Sequence, residues 1–143
     1  ISDETTLSKT LDDATDDTSA HNQSSIVFLL ETDEKQKFLF TGDAGRDAFN
    51  HVPQTLLGKV KDVTWMKVPH HGSKHNLDST IIKHVNPEIA YISTEKQGKY
   101  LNRSTVFALK KNGTKVYSTS QNRSTIRHGA IKTREGWTKI EPM

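Results

Sequence analysis

Two stretches decide the fold: Phe38-Leu39-Phe40-Thr41-Gly42-Asp43 and Val63-Thr64-Trp65-Met66-Lys67-Val68-Pro69-His70-His71-Gly72-Ser73. Each is an apolar, β-prone run that stops abruptly at a residue able to bind a metal ion. Between Asp43 and His71 lie 27 residues, enough for a helix and the next strand. That spacing predicts two neighbouring strands ending at the same edge of a sheet. In α/β sheets, ligand sites gather beyond the carboxyl ends of the strands.

Elements on either side fit the same pattern. Ser24–Glu31 is almost continuously apolar, which predicts a strand buried on both faces. A polar turn at Thr32–Lys35 joins it to a returning strand at Lys37–Thr41, so a hairpin is expected. Asp47–Leu57 is weakly helical and divided by Pro53. Asp62–Val68 is the next strand. Asp78–Val85 is a helix with Asp78 at its start and Asn86-Pro87 ending it. Glu88–Ser93 is a strand. Ser104–Lys111 is a helix with Ser104 as N-cap and Asn112-Gly113 as its stop. Lys115–Thr119 is a strand, and short strands are expected at Ser124–His128, Ala130–Thr133 and Trp137–Ile140. Alternating strands and helices imply an α/β fold (α+β by some schemes), with helices packed on a mixed sheet.

Residues 1–23 contain few large apolar side chains and read as a flexible acidic and polar segment before a domain spanning 24–143. The first 20 residues carry six acids and one base, leaving 19 bases and 11 acids, a net charge of +8, for the remainder. A basic body favours polyanionic partners such as nucleic acid or phosphoesters; a scattered, solubilising lysine surface is the plainer explanation. The 143 residues suit one domain, and 32% hydrophobic content allows only a thin core. With no cysteine, disulfides and thiolate zinc sites are excluded. That is compatible with the cytoplasm or a bacterial cell surface and leaves localisation open. No apolar run is long enough to span a membrane and no signal peptide opens the chain. Ile1 in place of Met reads as the start of a processed or excised piece.

Asp43 follows Gly42, which lets the backbone turn sharply. A carboxylate there is a hard ligand able to bridge two metal ions, or else the N-cap of the following helix. His70 and His71 follow Pro69, and neutral imidazole is the commonest zinc ligand. Adjacent histidines seldom share one metal. One is expected to be the ligand and the other a supporting or proton-transferring group; the plainer alternative is a pair of loop histidines. His51, His84 and His128 read as structural or surface residues. So does His75, although it stands close enough to swing toward the site. His21-Asn22, Tyr100, Asn102 and Arg103 lie on the expected side of the sheet as weaker candidates.

Asn22-Gln23-Ser24-Ser25-Ile26-Val27, Thr41-Gly42-Asp43 and Pro69-His70-His71-Gly72-Ser73 resemble the C-terminal half of metallo-β-lactamase-fold hydrolases. The nearest likeness is to the hydrolase domain of ComEC-type competence proteins and their soluble relatives. The strands Ile89–Ser93 and Thr114–Thr119 share it, and the resemblance covers roughly residues 21–140. It implies the second half of an αββα sandwich with zinc, two ions in the complete enzyme, between the halves; manganese is a second candidate. It also implies Asp43 as a bridging carboxylate and His71 as the last histidine ligand. His70 stands beside it, and His70 or Ser73 would assist the leaving group or contact substrate. Asn22 falls where many relatives have a further histidine.

The family's His-x-His-x-Asp-His cluster has no counterpart here. The resemblance therefore implies a fragment: an excised piece, a proteolytic product or one partner of a split enzyme, inactive alone. Its sheet would be covered by the missing N-terminal half or a second copy. The implied reaction is attack of a metal-bound hydroxide on a phosphodiester or similar ester. The alternative is a non-catalytic basic module that binds nucleic acid or a partner protein.

Overall fold

The computed structural model describes residues 2–94 and 99–119. The strands expected at 124–140, together with His128, lie outside these residues. Five strands form one mixed sheet: β1 (Phe28–Glu31), β2 (Lys37–Phe40), β3 (Trp65–Lys67), β4 (Ile89–Ile92) and β5 (Lys115–Ser118), side by side in chain order. β1 and β2 form the expected antiparallel hairpin, with Phe28 opposite Phe40 and Glu31 opposite Lys37. The pairs β2–β3, β3–β4 and β4–β5 are parallel. The fold is α/β.

Helices α3 (Arg46–Asn50) and α4 (Gln54–Leu57) connect β2 to β3, and Pro53 is the N-cap that separates them. Helix α5 (Ser79–Val85) connects β3 to β4. Its N-cap Asp78 accepts the Ile81 N–H at 2.8 Å, and Asn86 ends it in the left-handed conformation. Helix α6 (Arg103–Lys111) connects β4 to β5. Its N-cap is Asn102 rather than the expected Ser104: Asn102 Oδ1 accepts both the N–H of Ser104, at 3.0 Å, and its hydroxyl, at 2.6 Å. Ser104 is already fully buried inside the first turn.

The N-terminal segment departs from expectation. Helices α1 (Ser2–Asp12) and α2 (Ala20–Gln23) occupy much of 1–23. Leu11 is completely buried in the same core as the sheet, and α1 packs on α5 and α6. Burying that one leucine is worth about 1.5–3 kcal/mol. The acids are used as fasteners. Asp12 Oδ1 accepts the Ser79 N–H at 2.8 Å, and Asp16 accepts the N–H groups of Arg46 and Asp47 at 2.8 and 3.0 Å. Carboxylates are favoured at helix N-termini, where amides lack intrahelical partners. Arg46 reciprocates, donating to the carbonyls of Leu11 and Lys74 at 2.7 and 3.0 Å.

The two faces of the sheet differ. Leu39, Met66, Ala90, Ile92 and Val116 point to one side and join Leu11, Ile82, Val85 and Leu109 in the core. The alternate positions form an aromatic row across all five strands. Phe28 stacks on Phe40 at 4.6 Å between ring centres, Phe40 meets Trp65 at 5.2 Å, Trp65 meets Tyr91 at 6.1 Å, and Tyr91 stacks on Tyr117 at 5.8 Å. Phe28 and Leu30 are each 51% exposed. β1 is thus an edge strand with one open face, not the doubly buried strand its apolar run predicts.

Candidate metal centre

The carboxyl ends of β2, β3 and β4 converge at one edge of the sheet. Gly42 leaves β2 with φ +55°, and a Cβ there would come within 2.9 Å of the Ser25 Cβ, so this turn takes only glycine without strain. The Asp43 N–H donates to Ser25 Oγ at 3.1 Å. β3 runs into a tight 3-10-like turn, Pro69–Gly72, in which His70 and His71 both adopt left-handed backbone angles (φ 41° and 56°). Two consecutive non-glycine residues in that region cost roughly 1–2 kcal/mol each. The His70 N–H reaches the Gly42 carbonyl at 3.3 Å, which ties the two strand ends together. Gly72 in turn accepts the Asn102 N–H at 3.1 Å.

Asp43 does not cap α3. The N-cap position is Gly45, which makes no side-chain cap bond, and the Asp16 carboxylate takes the amides instead. The Asp43 carboxylate lies 3.8 Å from Lys67 Nζ. Burial pushes the Lys67 ammonium below its usual range, against the opposing pull of Asp43. Lys67 also donates to the Gly42 carbonyl at 2.6 Å, so it braces the turn that carries Asp43.

Both histidine rings have a defined orientation. His71 Nδ1 is 2.6 Å from the Ser93 carbonyl oxygen, at the end of β4. A carbonyl only accepts, so Nδ1 carries a hydrogen, and in the neutral ring the lone pair is then on Nε2. A metal-binding histidine has this arrangement. His70 Nδ1 is 3.0 Å from Asp17 Oδ2. Burial raises the Asp17 pKa, but hydrogen bonds from Asn22, the Ser19 N–H, Asn76 and His70 outweigh it, and the net value lies below the ordinary carboxylate range. Asp17 is therefore an acceptor only, and His70 Nδ1 also carries its hydrogen. The Tyr100 ring lies 4.6 Å from His70 and 6.0 Å from His71. His71, Tyr100, Thr94 and Lys99 line a cavity of about 290 Å³.

Other candidates take different places. Asn22 stands in the site, with Nδ2 at 2.6 Å from Asp17 Oδ2 and 3.4 Å from His70 Nδ1. Ser73 is buried, and its Oγ accepts the His75 N–H at 3.2 Å. His75 Nδ1 is held by the Thr15 carbonyl at 2.7 Å, His84 Nε2 by the Leu57 carbonyl at 3.0 Å, and His51 Nδ1 by the Asp47 carbonyl at 2.8 Å. Asn102 is occupied as a cap, and Arg103 is exposed at the start of α6. Sequence reasoning missed three participants: Asp17, Lys67 and Asn76. Asn76 is fully buried, and its Nδ2 donates to Asp17 Oδ2, to the Asp43 carbonyl and to the Ala44 carbonyl at 3.1–3.2 Å. The spacing of Asp12, Asp13, Asp16 and Asp17 was the available signal, and its acidity reads more readily as solvation.

The chain is similar to ComE operon protein 3 of Bacillus subtilis (strain 168). Identity is 30% over 128 residues, which make up 88% of this chain but 16% of that protein. The chain thus spans about a sixth of the length of this relative. No family model matches the sequence, and no solved structure matches it. Among the described residues, no group of three or more histidine, aspartate, glutamate or cysteine side chains is placed to hold a metal ion. No helix among them is long and apolar enough to cross a membrane.

Asp43 and His71 fit part of a metal site. One is a carboxylate released from capping, the other an imidazole whose Nδ1–H is tied to a carbonyl. A catalytic zinc commonly takes three protein ligands and a water, so the remaining ligands would have to come from outside the described residues.

Proposed function

We propose that this chain is the C-terminal half of a metal-dependent hydrolase of the metallo-β-lactamase fold, related to ComEC-type competence proteins and acting on a phosphodiester. The observation that carries the reading is the meeting of Asp43 and the His70-His71 turn on adjacent parallel strand ends, joined by the His70 N–H to Gly42 carbonyl bond. The similarity to ComE operon protein 3 supports it.

In this reading Asp43 and His71 would hold zinc. Zinc bound there would supply Lewis acidity toward a phosphoryl oxygen and a water. Lys67 keeps the Asp43 turn rigid. His70, with Nδ1 held by Asp17, would present Nε2 to the site. Lys99, beside Tyr100 and His71, supplies positive charge to a phosphoester. The net charge of +8 outside the first 20 residues favours such an anion over a neutral ester.

The open aromatic face supports the fragment reading. A sheet with helices on one side must bury its other side against a second layer. Ile26 is 82% exposed beside the half-exposed Phe28 and Leu30. A second sheet, contributed by the half that carries the His-x-His-x-Asp-His cluster, fits this surface.

The test is hydrolysis of a chromogenic phosphodiester by this chain joined to such a half, with zinc present. The joined protein turns over substrate, the chain alone does not, and Asp43→Ala or His71→Ala abolishes turnover. Near-wild-type activity of either variant at saturating zinc overturns the reading.

A further inference from the structure

We infer that Asp17, in the acidic segment before β1, is the positioning residue of His70: its carboxylate fixes which ring nitrogen carries hydrogen and which is offered to the site. The functional meaning of this inference rests on the hydrolase reading, but its geometry does not.

Asp17 Oδ2 is a single point of convergence. It accepts from Asn22 Nδ2 at 2.6 Å, His70 Nδ1 at 3.0 Å and Asn76 Nδ2 at 3.1 Å, while Oδ1 takes the Ser19 N–H at 3.0 Å. A carboxylate, with about four lone-pair sites on two oxygens, suits four donors around one side chain. The pair is well shielded, with 11% of the Asp17 and 17% of the His70 side chain exposed. The backbone is pinned as well: the Asp17 N–H donates to the His75 carbonyl at 3.1 Å, and Gln23 Nε2 donates to the Asp17 carbonyl. Through Asn76, the same carboxylate is joined to the Asp43 carbonyl, so both strand ends share one support.

An imidazole in water prefers hydrogen on Nε2. At this position Asp17 imposes the opposite tautomer and leaves the Nε2 lone pair available. Without the carboxylate, the other polar contact given by the structure for Nδ1 is the Asn22 amide nitrogen at 3.4 Å, a donor. A donor there favours an unprotonated Nδ1 and therefore returns hydrogen to Nε2. Removing Asp17 thus reverses the tautomer instead of merely loosening the ring.

The experiment is long-range ¹H–¹⁵N correlation spectroscopy of the 143-residue chain without metal, at a pH where imidazole is neutral. The variants are Asp17→Ala, Asp17→Asn and Asp16→Ala. In the wild type His70 carries hydrogen on Nδ1. Asp17→Ala makes that form the minority. Asp17→Asn retains it, because one acceptor oxygen remains. Asp16→Ala also retains it, although it removes the cap on α3 and costs stability. Hydrogen on Nε2 in the wild type, or an unchanged tautomer in Asp17→Ala, overturns the inference. If Asp17→Ala does not fold, the wild-type and Asp17→Asn spectra decide: Nε2–H in either contradicts the inference.

In the joined, active protein, Asp17→Ala should lower metal affinity or turnover about 10–100-fold, as loss of a partner behind a functional histidine does. Because the tautomer is read without metal or substrate, a failed hydrolase reading leaves this result intact and is recognised separately.

Discussion

Asp16 Oδ1 accepts the Arg46 N–H at 2.8 Å, across 30 residues of chain. This bond, with its companion to Asp47, settles what Asp43 does not do. Asp43 stands three residues before α3, and the capping role is filled from the N-terminal segment.

Asp16→Ala should therefore destabilise the chain by about 1 kcal/mol, the usual cost of losing a cap. Asp43→Ala should cost no more than about 0.5 kcal/mol, since its partly exposed contact with Lys67 is long. Urea denaturation of both variants checks the contrast. A larger loss in Asp43→Ala would return the capping role to that residue.

Leu11 tests whether the acidic segment belongs to the core. Leu11→Ala should cost about 2–5 kcal/mol, as for other fully buried leucines. A flexible tail would tolerate it without a change in denaturation midpoint. Removal of residues 1–19 should likewise destabilise the remainder.

Asp17 sets a pH dependence. Its folded pKa lies below the ordinary value of 3.8. An acid of this kind stabilises the fold at pH values above its unfolded pKa, and the contribution is lost as pH falls through the folded value. Wild-type stability should fall as pH drops below about 4, and Asp17→Asn should lessen that fall while lowering stability at neutral pH. Denaturation midpoints from pH 2 to 7 measure it; identical acid limbs would contradict the proposed charge state.

The aromatic row should bind a hydrophobic dye or a second layer. Phe28→Ser with Leu30→Ser should reduce dye binding and self-association by the isolated chain while changing its stability little, since both side chains are half exposed. Strong destabilisation would mean that the face is already covered.

Much of this architecture was legible because local signals agreed. Asp78 caps α5, Pro53 divides α3 from α4, and the β1–β2 hairpin and the β2–β3 strand ends fall where the apolar runs stop. What was not legible depends on distant partners. Composition made 1–23 look disordered, but Leu7 and Leu11 lie one turn apart on α1, and the acids find amides on other helices. The apolar run of β1 promised burial on both sides; Val27 and Leu29 pack toward the core, while Ile26, Phe28 and Leu30 belong to the open face. Ser104 and Asn102 are both good caps by type, and burial of Ser104 decided between them. At the site, Asp43 and the two histidines were visible as strand-end residues. Asp17 and Asn76 were not: the acids around Asp17 read as a solvated segment, and the partners of both lie far away in the chain.

The central claim is that Asp43 and His71 form the chain's share of a metal site. Calorimetric zinc titration of this chain joined to the half that carries the His-x-His-x-Asp-His cluster, beside Asp43→Ala and His71→Ala in the same protein, addresses it most directly. The account predicts zinc uptake that each substitution weakens at least about tenfold, no less than loss of a partner behind a ligand causes. Zinc uptake unchanged in both variants, or none in the unsubstituted joined protein, would contradict it.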